Sequence, residues 1–284
     1  MLSALVVLYR KNITTSNTLS SLLASNVSSL LDNILVWDNS PESLPTKDID
    51  SYIDLMKGKS IKVSYHHELS NSPLSIVYNK FISQFNDSKF LMILDDDTLL
   101  NEDFFYELDK HISDYDSSDL YLPRIYHKDK MISPSKRFFM KGWYLDYKPK
   151  GKFNSKFLSA INSCMVISVD FLRKTNFQYD ERLISYGTDD QFILNFTRNN
   201  GICHILDVDI KHDLTLSTMN GDSFNFRAKY FMMIESWFVI YSSNIFSQFL
   251  VFFYALVHVS FTSFRFRNSE YLKDFFKMVS RCQK

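Results

Sequence analysis

Short apolar segments alternate with helical patterns through the first two-thirds of the chain. Apolar runs of a few residues predict four buried strands, at residues 3–8, 34–37, 61–65 and 90–94. Between them, Thr15 or Ser16 can cap a helix whose last apolar position is Leu30, and Ser72-Pro73 is typical of the start of another helix. Strands that alternate with helices in this way predict a parallel sheet covered by helices, which is an α/β fold.

A later unit repeats this alternation, and after it the character of the chain changes. The patterns predict a strand, a short helix, a longer helix and a strand at residues 160–169, 170–174, 188–199 and 203–208. Asn200-Gly201 is a typical helix stop. Residues 224–264 are dense in aromatic residues and poor in turn signals. We therefore divide the chain into an α/β domain at residues 1–220 and a helical C-terminal region at residues 221–284.

The composition is that of an ordinary folded, soluble protein. The 284 residues are 45% hydrophobic, and 32 basic residues balance 32 acidic ones, which argues against nucleic-acid binding by bulk charge. The 26 Phe, 16 Tyr and 3 Trp must fill a core, a membrane face or a binding cleft. Three widely separated cysteines form neither a disulfide framework nor a metal pair, which indicates a reducing compartment. The first apolar residues run into Tyr9-Arg10-Lys11 without a cleavage site, so they predict a strand rather than a secretory signal.

Charge is unevenly distributed along the chain despite the overall balance. Residues 86–119 contain eleven acidic residues and two lysines, whereas residues 124–156 contain ten Lys or Arg and two acidic residues. An acidic centre followed by a basic segment suits a metal site that serves an anionic substrate. Solvated loops would give the same pattern.

The acidic triplet Asp95-Asp96-Asp97 is the most informative chemical feature of the sequence. Three adjacent carboxylates at the end of a strand repel one another unless a cation compensates them, and oxygen ligands suit Mg²⁺ or Mn²⁺. Asp38 also follows a predicted strand, and in parallel sheets ligands bind beyond the carboxyl ends of the strands. A turn that caps the following helix would explain one aspartate of the triplet, but not all three.

Seven short segments together resemble a known family. They are residues 5–9 (LVVLY), 36–40 (VWDNS), 71–79, 95–97 (DDD), 161–167 (INSCMVI), 179–181 (YDE) and 188–190 (TDD). In this order and spacing they resemble the GT-A glycosyltransferases of family 2, with rhamnosyltransferase-like members nearest. The resemblance spans about residues 2–212. It implies a Rossmann-like nucleotide-diphospho-sugar transferase domain, here with a helical C-terminal extension, that moves a sugar from a nucleotide-diphosphate donor to an acceptor hydroxyl with inversion.

The resemblance also implies which residues bind the donor. Tyr9, Asp38 and Asn39 would line the pocket for the nucleotide base and ribose. Asn79 lies on the predicted helix before the metal strand and would also face the donor.

The acidic triplet and a histidine would complete the donor and metal site. Asp95 would lie near the ribose and the metal, Asp96 would contact the donor, and Asp97 would be the more direct ligand of Mn²⁺ or Mg²⁺. His212 matches the place where many such enzymes carry a histidine near the metal or diphosphate. An ordinary surface or core histidine is the alternative at this position.

The resemblance places the general base in the segment that contains two further aspartates. Family 2 enzymes carry Glu-Asp here, with the aspartate as base, whereas this chain has Thr188-Asp189. Asp189 is therefore the matching residue, and Asp190 is the neighbour that could replace it. A structural alternative remains, in which Thr188 caps a helix and both aspartates favour its first turn.

Two residues are candidates for binding the acceptor. Trp143 lies in the basic segment, and an exposed aromatic side chain stacks well on a sugar face, although core packing would explain it equally. Arg227 opens the C-terminal region and could meet a diphosphate, with an ordinary salt bridge as the alternative.

The aromatic C-terminal region has features of a segment that contacts a membrane. Between Glu235 and Arg265 there is no Asp, Glu, Lys or Arg, and the only histidine is His258, so by length the segment could span a bilayer. Polar residues interrupt it, however, and its purely apolar run covers only residues 249–257. We predict helices that lie at the membrane surface; a span or a buried helical pair are the alternatives. The family resemblance implies a lipid-linked glycan acceptor in surface-polysaccharide synthesis. Together with the predicted placement of the helices, it predicts a cytoplasmic enzyme held peripherally on the inner face of the cell membrane.

Two other classes of function fit parts of the sequence. Residues 95–99 match the nucleophile motif of haloacid-dehalogenase-like phosphatases, in which Asp95 would be phosphorylated and Asp97 would act as acid and base. That motif normally ends the first strand of its domain, whereas here it follows about three earlier strands. A carbohydrate- or membrane-binding module without activity would explain the aromatic residues but not the carboxylates.

Overall fold

The computed structural model describes residues 1–26, 30–113, 118–212 and 224–282. The strands are β1 (Leu2–Leu8), β2 (Leu31–Asp38), β3 (Lys62–His67), β4 (Phe90–Asp95), β5 (Leu120–His127), β6 (Lys130–Ser133), β7 (Ser135–Phe138), β8 (Lys141–Trp143), β9 (Gly151–Phe153), β10 (Leu158–Ser159), β11 (Met165–Ser168) and β12 (Cys203–Lys211). The helices are α1 (Asn17–Ala24), α2 (Thr46–Gly58), α3 (Leu74–Gln84), α4 (Glu102–Ser113), α5 (Val169–Thr175), α6 (Thr188–Arg198), α7 (Phe224–Ile240), α8 (Ile245–Phe266) and α9 (Glu270–Cys282).

A mixed sheet forms the centre of the α/β part. Its strands lie in the order β3-β2-β1-β4-β11-β5-β12-β9, and β6 pairs with β5. Strands β3, β2, β1 and β4 are parallel to one another, and so are β5 and β12, but β11 runs antiparallel between β4 and β5. The three short strands β10, β7 and β8 form a second, antiparallel sheet. The predicted α/β sheet is therefore confirmed, with antiparallel strands mixed into its parallel part, because β11 runs opposite to β4 and β5 and β9 runs opposite to β12.

Helices cover both faces of the mixed sheet. Successive side chains of β1 alternate between the two faces, so Val6 joins one hydrophobic core and Leu5 the other. Helices α1, α2 and α4 pack on the first face, where Phe104 is fully buried. Helices α3, α5 and α6 pack on the second face around Phe81 and Phe192.

The sequence located most elements of this α/β part. The four predicted strands of the first half are β1 to β4, and the later predicted unit corresponds to β11, α5, α6 and β12. Helix α1 begins after Ser16, whose Oγ accepts a hydrogen bond from the Leu19 N–H. It ends at Ala24, so Leu30 is not part of it, and the position of Val27 lies outside the described residues. Pro73 immediately precedes α3, as predicted.

The C-terminal helices α7, α8 and α9 have an aromatic core of their own. Tyr230, Trp237, Tyr271 and Phe275 are buried within it. Phe139, which follows β7, packs against the same core, so the helices are joined to the α/β part. The predicted boundary between residues 220 and 221 lies outside the described residues.

Helix α8 is long and apolar enough to cross a membrane by length and composition. Its inner side, with Val251, Ala255 and Val259 fully buried, packs on the other two helices. Its outer side carries exposed apolar residues that we call the apolar face of α8: Ile245, Phe246, Phe249, Leu250, Phe253, Val257, Phe261 and Phe264. These positions recur at helical spacing and so form one continuous stripe.

Candidate active site

Segments from different parts of the chain meet at one edge of the mixed sheet. The carboxyl ends of β1, β2, β4 and β12 lie at this edge because the strands run in the same direction. Since β11 runs the opposite way, the residues just before it lie there too, and Met165 pairs with Ile93 of β4. The sheet thus places the acidic triplet, Asn162-Ser163 and His212 close together.

Two carboxylates of the acidic triplet have hydrogen-bond or ion-pair partners from other segments. Asp95 accepts a short hydrogen bond from the Ser163 hydroxyl. Asp96 pairs with Lys11, whose Nζ lies 2.8 Å from Oδ1, and its Oδ2 accepts a hydrogen bond of 3.1 Å from the Tyr9 N–H. The mutual repulsion of the triplet is therefore partly compensated by β1 and its extension.

Asp97 differs from its two neighbours, because its partner from another segment is a histidine. Its Oδ1 is buried and makes no hydrogen bond with any described residue, although His212 Nδ1 lies 3.3 Å away. Burial raises the pKa of Asp97, and Asp95 and Asp96 add to the increase while His212 opposes it. A buried carboxylate that lacks a donor is what a missing cation would leave behind.

Asp95, Asp97 and His212 fit a divalent metal ion. One ligand atom of each lies within 4.8 Å of the others. Two carboxylate oxygens and one imidazole nitrogen suit Mn²⁺ well and are acceptable to Mg²⁺. Three protein ligands leave coordination positions for substrate oxygens. His212 is therefore placed where the sequence predicted a ligand.

The start of α1 holds the backbone of the triplet. The Ser16 hydroxyl donates to the carbonyl oxygen of Asp96 at 2.9 Å. The Thr18 hydroxyl lies within hydrogen-bond distance of the carbonyl oxygens of Asp95 and Thr98, and it accepts a bond of 3.0 Å from the Thr98 N–H. The loop after β4 is thus fixed without using its carboxylates.

The two aspartates of the predicted base segment lie in the first turn of α6. Asp190 forms an ion pair with Arg137 of β7, which occupies its carboxylate. Asp189 Oδ1 accepts a hydrogen bond of 2.8 Å from the Asp190 N–H. Burial, and then the neighbouring charge of Asp190, raise the pKa of Asp189 to about 7. A carboxylate with that pKa can take and release a proton near neutral pH.

The cap of α6 differs from the structural alternative. Gly187, in a left-handed conformation with φ of 87°, occupies the N-cap position, and Thr188 is the first helical residue. The Thr188 hydroxyl accepts a hydrogen bond of 2.9 Å from Asn162 Nδ2 instead of capping the helix. A simple cap therefore does not explain this segment.

Asn162 and Ser163 connect the acidic triplet to the start of α6. Ser163 donates to Asp95, and the adjacent Asn162 donates to Thr188. Besides its burial, the charges of both Asp95 and Asp189 raise the pKa of Tyr78. The proposed metal ligands and the proposed base thus belong to one site.

Three of the predicted nucleotide-binding residues lie at the same edge, with different exposure. Tyr9 is 44% exposed and so is available to a ligand. Asp38 is fully buried, and it accepts hydrogen bonds from the Tyr65 hydroxyl at 2.7 Å and the Ser40 N–H at 2.9 Å. Asn39 is also buried and accepts a bond from Trp37. In this arrangement Asp38 and Asn39 shape the turn after β2, and their contact with a nucleotide stays a prediction.

Asn79 uses both ends of its side chain to hold another segment. Its Nδ2 donates to the carbonyl oxygen of Tyr179, and its Oδ1 accepts from the Tyr179 N–H, both at 2.9 Å. These bonds attach α3 to the segment before α6. A contact between Asn79 and the donor would have to replace one of them.

The two acceptor candidates lie on elements next to the site. Trp143 is exposed on β8, where it pairs in register with Lys136 of β7. Core packing therefore does not account for Trp143. Arg227 of α7 forms a salt bridge with Asp274 of α9 at 3.1 Å, as the alternative reading of this residue predicted.

Much of the basic segment is neutralised within the protein. Arg124 contacts Asp207 at 2.8 Å, Lys148 contacts Asp209 at 2.8 Å, and Lys150 contacts Asp207 at 3.3 Å. Asp207 and Asp209 both lie on β12. These basic residues form ion pairs with aspartates of β12, whereas the charge pattern of the sequence suggested that they would face an anionic substrate.

Several residues of the site were not singled out by the sequence. Lys11 had a usable signal, because it follows a strand whose end lies at the ligand-binding edge. Asn162 and Ser163 belong to a segment that carried the family resemblance, but no role was assigned to them. Arg137 had no local signal, since its partner lies far along the chain.

Comparison with known proteins gives structural matches only. No protein-family model matches the chain, and neither does any curated protein. TarS from S. aureus, residues 1–349 in complex with UDP, matches with a TM-score of 0.59 and 14% identity over 88% of this chain and 68% of TarS 1–349. The same TarS fragment with UDP-GlcNAc gives a TM-score of 0.54 at 14% identity, over 88% of this chain and 69% of the fragment. GalNAc-T7 with UDP, GalNAc and Mn²⁺ gives 0.65 at 15% identity over 98% of this chain, which spans 54% of the GalNAc-T7 chain.

These matches establish the architecture. The chain has the fold of the GT-A glycosyltransferases, followed by C-terminal helices, as the sequence predicted. In this fold the acidic triplet ends β4 rather than a first strand, which removes the basis for the phosphatase alternative. Membership of family 2 and the rhamnosyltransferase-like subtype stay predictions.

Proposed function

We propose that this protein transfers a sugar from a nucleotide-diphosphate donor to an acceptor hydroxyl, with a divalent metal ion and inversion at the anomeric carbon. One observation carries the proposal. A cluster of metal-ligand type, in which the buried Asp97 Oδ1 has no hydrogen bond from any described residue, is joined through Asn162-Ser163 to a carboxylate that can exchange a proton near pH 7, Asp189. A phosphate-binding metal and a separate base are the two groups that this reaction needs.

The metal ligands and the base would have separate roles in the reaction. Asp95, Asp97 and His212 would hold the ion, which when bound neutralises charge on the leaving diphosphate. Asp189 accepts the proton of the acceptor hydroxyl while that oxygen attacks the anomeric carbon from the side opposite the diphosphate. The bond between the anomeric carbon and the diphosphate oxygen breaks, and the electron pair leaves with the diphosphate. A single displacement gives inversion.

The nature of the donor follows from the edge of the sheet and from the structural matches. Tyr9 is exposed near Lys11, and Lys11 pairs with Asp96, where it reduces the negative charge that an incoming diphosphate would meet. The matched TarS and GalNAc-T7 structures contain UDP, which supports a uridine nucleotide as the first donor to test. A dTDP-sugar is the second candidate.

A thermal-shift screen tests the donor and the metal together. UDP, dTDP and GDP, and then UDP-GlcNAc, UDP-glucose and dTDP-rhamnose, are added with and without Mn²⁺. Ligand at a hundredfold excess over its Kd stabilises the protein by about 2.7 kcal/mol, so a clear rise in Tm is expected for one nucleotide only when Mn²⁺ is present. No shift with any nucleotide, combined with hydrolysis of a simple phosphoester, would contradict the proposal.

We further propose that the enzyme works peripherally on the cytoplasmic face of the cell membrane, on a lipid-linked glycan acceptor in surface-polysaccharide synthesis. The apolar face of α8 supports this, since exposed Phe and Val side chains along a helix favour a lipid interface. The inner side of α8 packs on α7 and α9, and α9 exposes Lys273, Lys277 and Arg281. Charged helices on the flanks favour a helix that lies on the membrane rather than one that spans it.

Vesicle binding tests the membrane proposal. A triple variant, Phe249→Ser, Phe253→Ser and Val257→Ser, removes the centre of the apolar face and should abolish co-sedimentation with phosphatidylglycerol vesicles. The matched control, Leu55→Ser, Leu69→Ser and Tyr106→Ser, removes exposed apolar groups elsewhere and should still bind. Equal binding by both variants would contradict the proposal, and resistance of the native protein to alkaline extraction would show a span instead.

A further inference from the structure

Arg137 is a largely buried cation next to the proposed base. Its side chain is 12% exposed, and its Nη1 forms an ion pair with the carboxylate of Asp190. Its Nη2 also donates a hydrogen bond of 3.3 Å to the backbone oxygen of Asp190. Two contacts with a single residue fix both the side chain and the backbone of Asp190.

We infer that Arg137 is a positioning residue for the base: it commits Asp190 to an ion pair and leaves Asp189 as the carboxylate that takes the acceptor proton. This inference deepens the proposed function and rests on it. It also resolves the choice between the two aspartates, which the sequence left open.

The contacts of Asp189 explain how Arg137 can act on it. No ion pair within the described part of the chain includes Asp189. Its Oδ1 accepts a hydrogen bond from the Asp190 N–H at 2.8 Å. Because Asp189 is oriented by the backbone of Asp190, and Arg137 holds that backbone, a change at Arg137 is transmitted to Asp189.

Arg137 reaches this position from a supported strand. Its backbone N–H donates to the carbonyl oxygen of Phe157 at 2.7 Å. Strand β7 is paired on both sides, with β8 and with β10. The guanidinium therefore extends from a fixed platform rather than from a free loop.

Helix α7 supports the start of α6 from another direction. A Cβ atom at Gly187 would lie 2.7 Å from the Cβ of Ser236 and 3.0 Å from Ile240 Cδ1, so α7 touches the backbone at this point. Tyr241, just after α7, donates a hydrogen bond of 3.2 Å to the carbonyl oxygen of Phe139, which follows β7. The first turn of α6 is therefore enclosed by β7 and α7, and α7 is tied to β7.

Other ionisable groups near Asp189 do not replace this arrangement. Tyr78 of α3 and Tyr179, in the segment before α6, both face it, and burial raises the pKa of each far above neutrality, so both stay uncharged. Tyr241 faces Arg137 and Asp190, and burial raises its pKa as well. The charged groups that bear on Asp189 are then Asp190, which raises its pKa, and Arg137, which lowers it.

Loss of Arg137 should change both the geometry and the proton affinity of the base. Asp190 would lose its partner, and its charge would act on Asp189 without compensation. The acidic limb of the pH–rate profile should therefore move to higher pH, by about one unit, because the charge of Arg137 lowers the pKa of Asp189 in the native protein and a nearby opposite charge shifts a carboxylate by about 1–3 units.

The test compares Arg137→Gln and Arg137→Lys in the native chain and in the Asp190→Asn background. The probe is the nucleotide sugar selected by the thermal-shift screen, with Mn²⁺, and nucleoside diphosphate release gives kcat, KM and the pH profile. We expect Arg137→Gln to lower kcat at least tenfold with little change in donor KM, and Arg137→Lys to restore part of the loss. In the Asp190→Asn background, Arg137→Gln should cost clearly less than in the native chain, since the ion pair is already lost and only the hydrogen bond to the backbone oxygen of residue 190 remains to be removed.

Controls separate the possible outcomes. Arg173→Gln removes an exposed arginine that pairs with Asp170 at 3.2 Å, and it should behave like the native protein. An equal loss of kcat from Arg137→Gln in both backgrounds, or an unchanged pH profile, would overturn the inference. If Arg137→Gln does not fold, Arg137→Lys in the two backgrounds decides by the same criterion. A native protein that transfers no sugar would instead defeat the proposed function itself.

Discussion

The two acidic clusters of the site place the same residue type in different surroundings. The carboxylates of the acidic triplet face a hydroxyl, an ammonium group and an imidazole, one each. Within the described part of the chain, Arg137 is the cation that bears on Asp189 and Asp190, and it pairs with Asp190. The triplet is thus surrounded by ligand-type and charge-balancing groups, whereas Asp189 is half-buried beside a second carboxylate.

This difference indicates that the two acidic clusters have different chemical roles. A cluster with several ligand atoms within 4.8 Å suits a cation, because the ion removes the repulsion that burial leaves. Asp189, a half-buried carboxylate outside such a cluster, is suited to bind a proton, because burial stabilises the neutral form of a carboxyl group. The comparison predicts that variants of the two clusters fail in different ways.

The largest effect is expected at the cation cluster. Asp97→Asn should lower sugar transfer by roughly a thousandfold and should abolish the Mn²⁺-dependent thermal shift with nucleotide, because a ligand of the ion is lost. Asp87→Asn, which changes a highly exposed aspartate, is the matched control. If Asp97→Asn still bound nucleotide in a Mn²⁺-dependent way, the assignment of metal binding to the acidic triplet would be wrong.

The next effect is expected at the proton cluster. Asp189→Asn should lower kcat by roughly a hundredfold or more, because a general base contributes about 10²–10⁴. Mn²⁺-dependent nucleotide binding should stay close to that of the native protein, since this residue takes no part in holding the ion. Loss of metal-dependent binding in Asp189→Asn would show that the two clusters are not separate in function.

The pH dependence sharpens the comparison further. The pKa of Asp189 is about 7, so the base is protonated and inactive at lower pH. We expect kcat to fall about tenfold per pH unit below pH 7 and to level off above it. The measurement is a pH–rate profile at saturating Mn²⁺ and donor, and a flat profile from pH 5 to pH 8 would contradict the assignment.

The smallest effect concerns stability. The pKa of Asp189 is raised in the folded state, so its ionisation lowers stability as pH rises from the ordinary aspartate value of about 4 towards 7 and above. Asp189→Asn removes this cost and should raise the free energy of unfolding by about 2 kcal/mol at pH 8, or Tm by roughly 5 °C. The gain should be much smaller at pH 4, where the native carboxyl group is largely protonated. An equal gain at both values would exclude a titration effect.

The sequence predicted the parts of the fold that depend on local patterns. Strand β4 and the acidic triplet were found because an apolar run ends abruptly in three aspartates. Strands β6 to β10 were not predicted, since they are two to four residues long and exist through pairing with distant segments. The antiparallel direction of β11 is likewise a property of the whole sheet rather than of its own residues.

The candidate site was predictable to the same extent. Asp95, Asp97 and His212 follow strands whose ends meet, so their proximity could be inferred from the fold class. The ion pair between Arg137 and Asp190 could not be inferred from the sequence. It joins the short strand β7 to the start of α6 through tertiary packing alone.

The hydroxyl groups of Ser16 and Thr18 hold the carbonyl oxygens of the loop after β4, and not its carboxylates. These backbone contacts would therefore remain whichever acidic or amide side chains the loop carries. Ligand identity at these positions can change, by mutation or by selection for another ion, while the polypeptide keeps its course. Metal preference is for this reason the property of the protein that we expect to be most readily re-engineered.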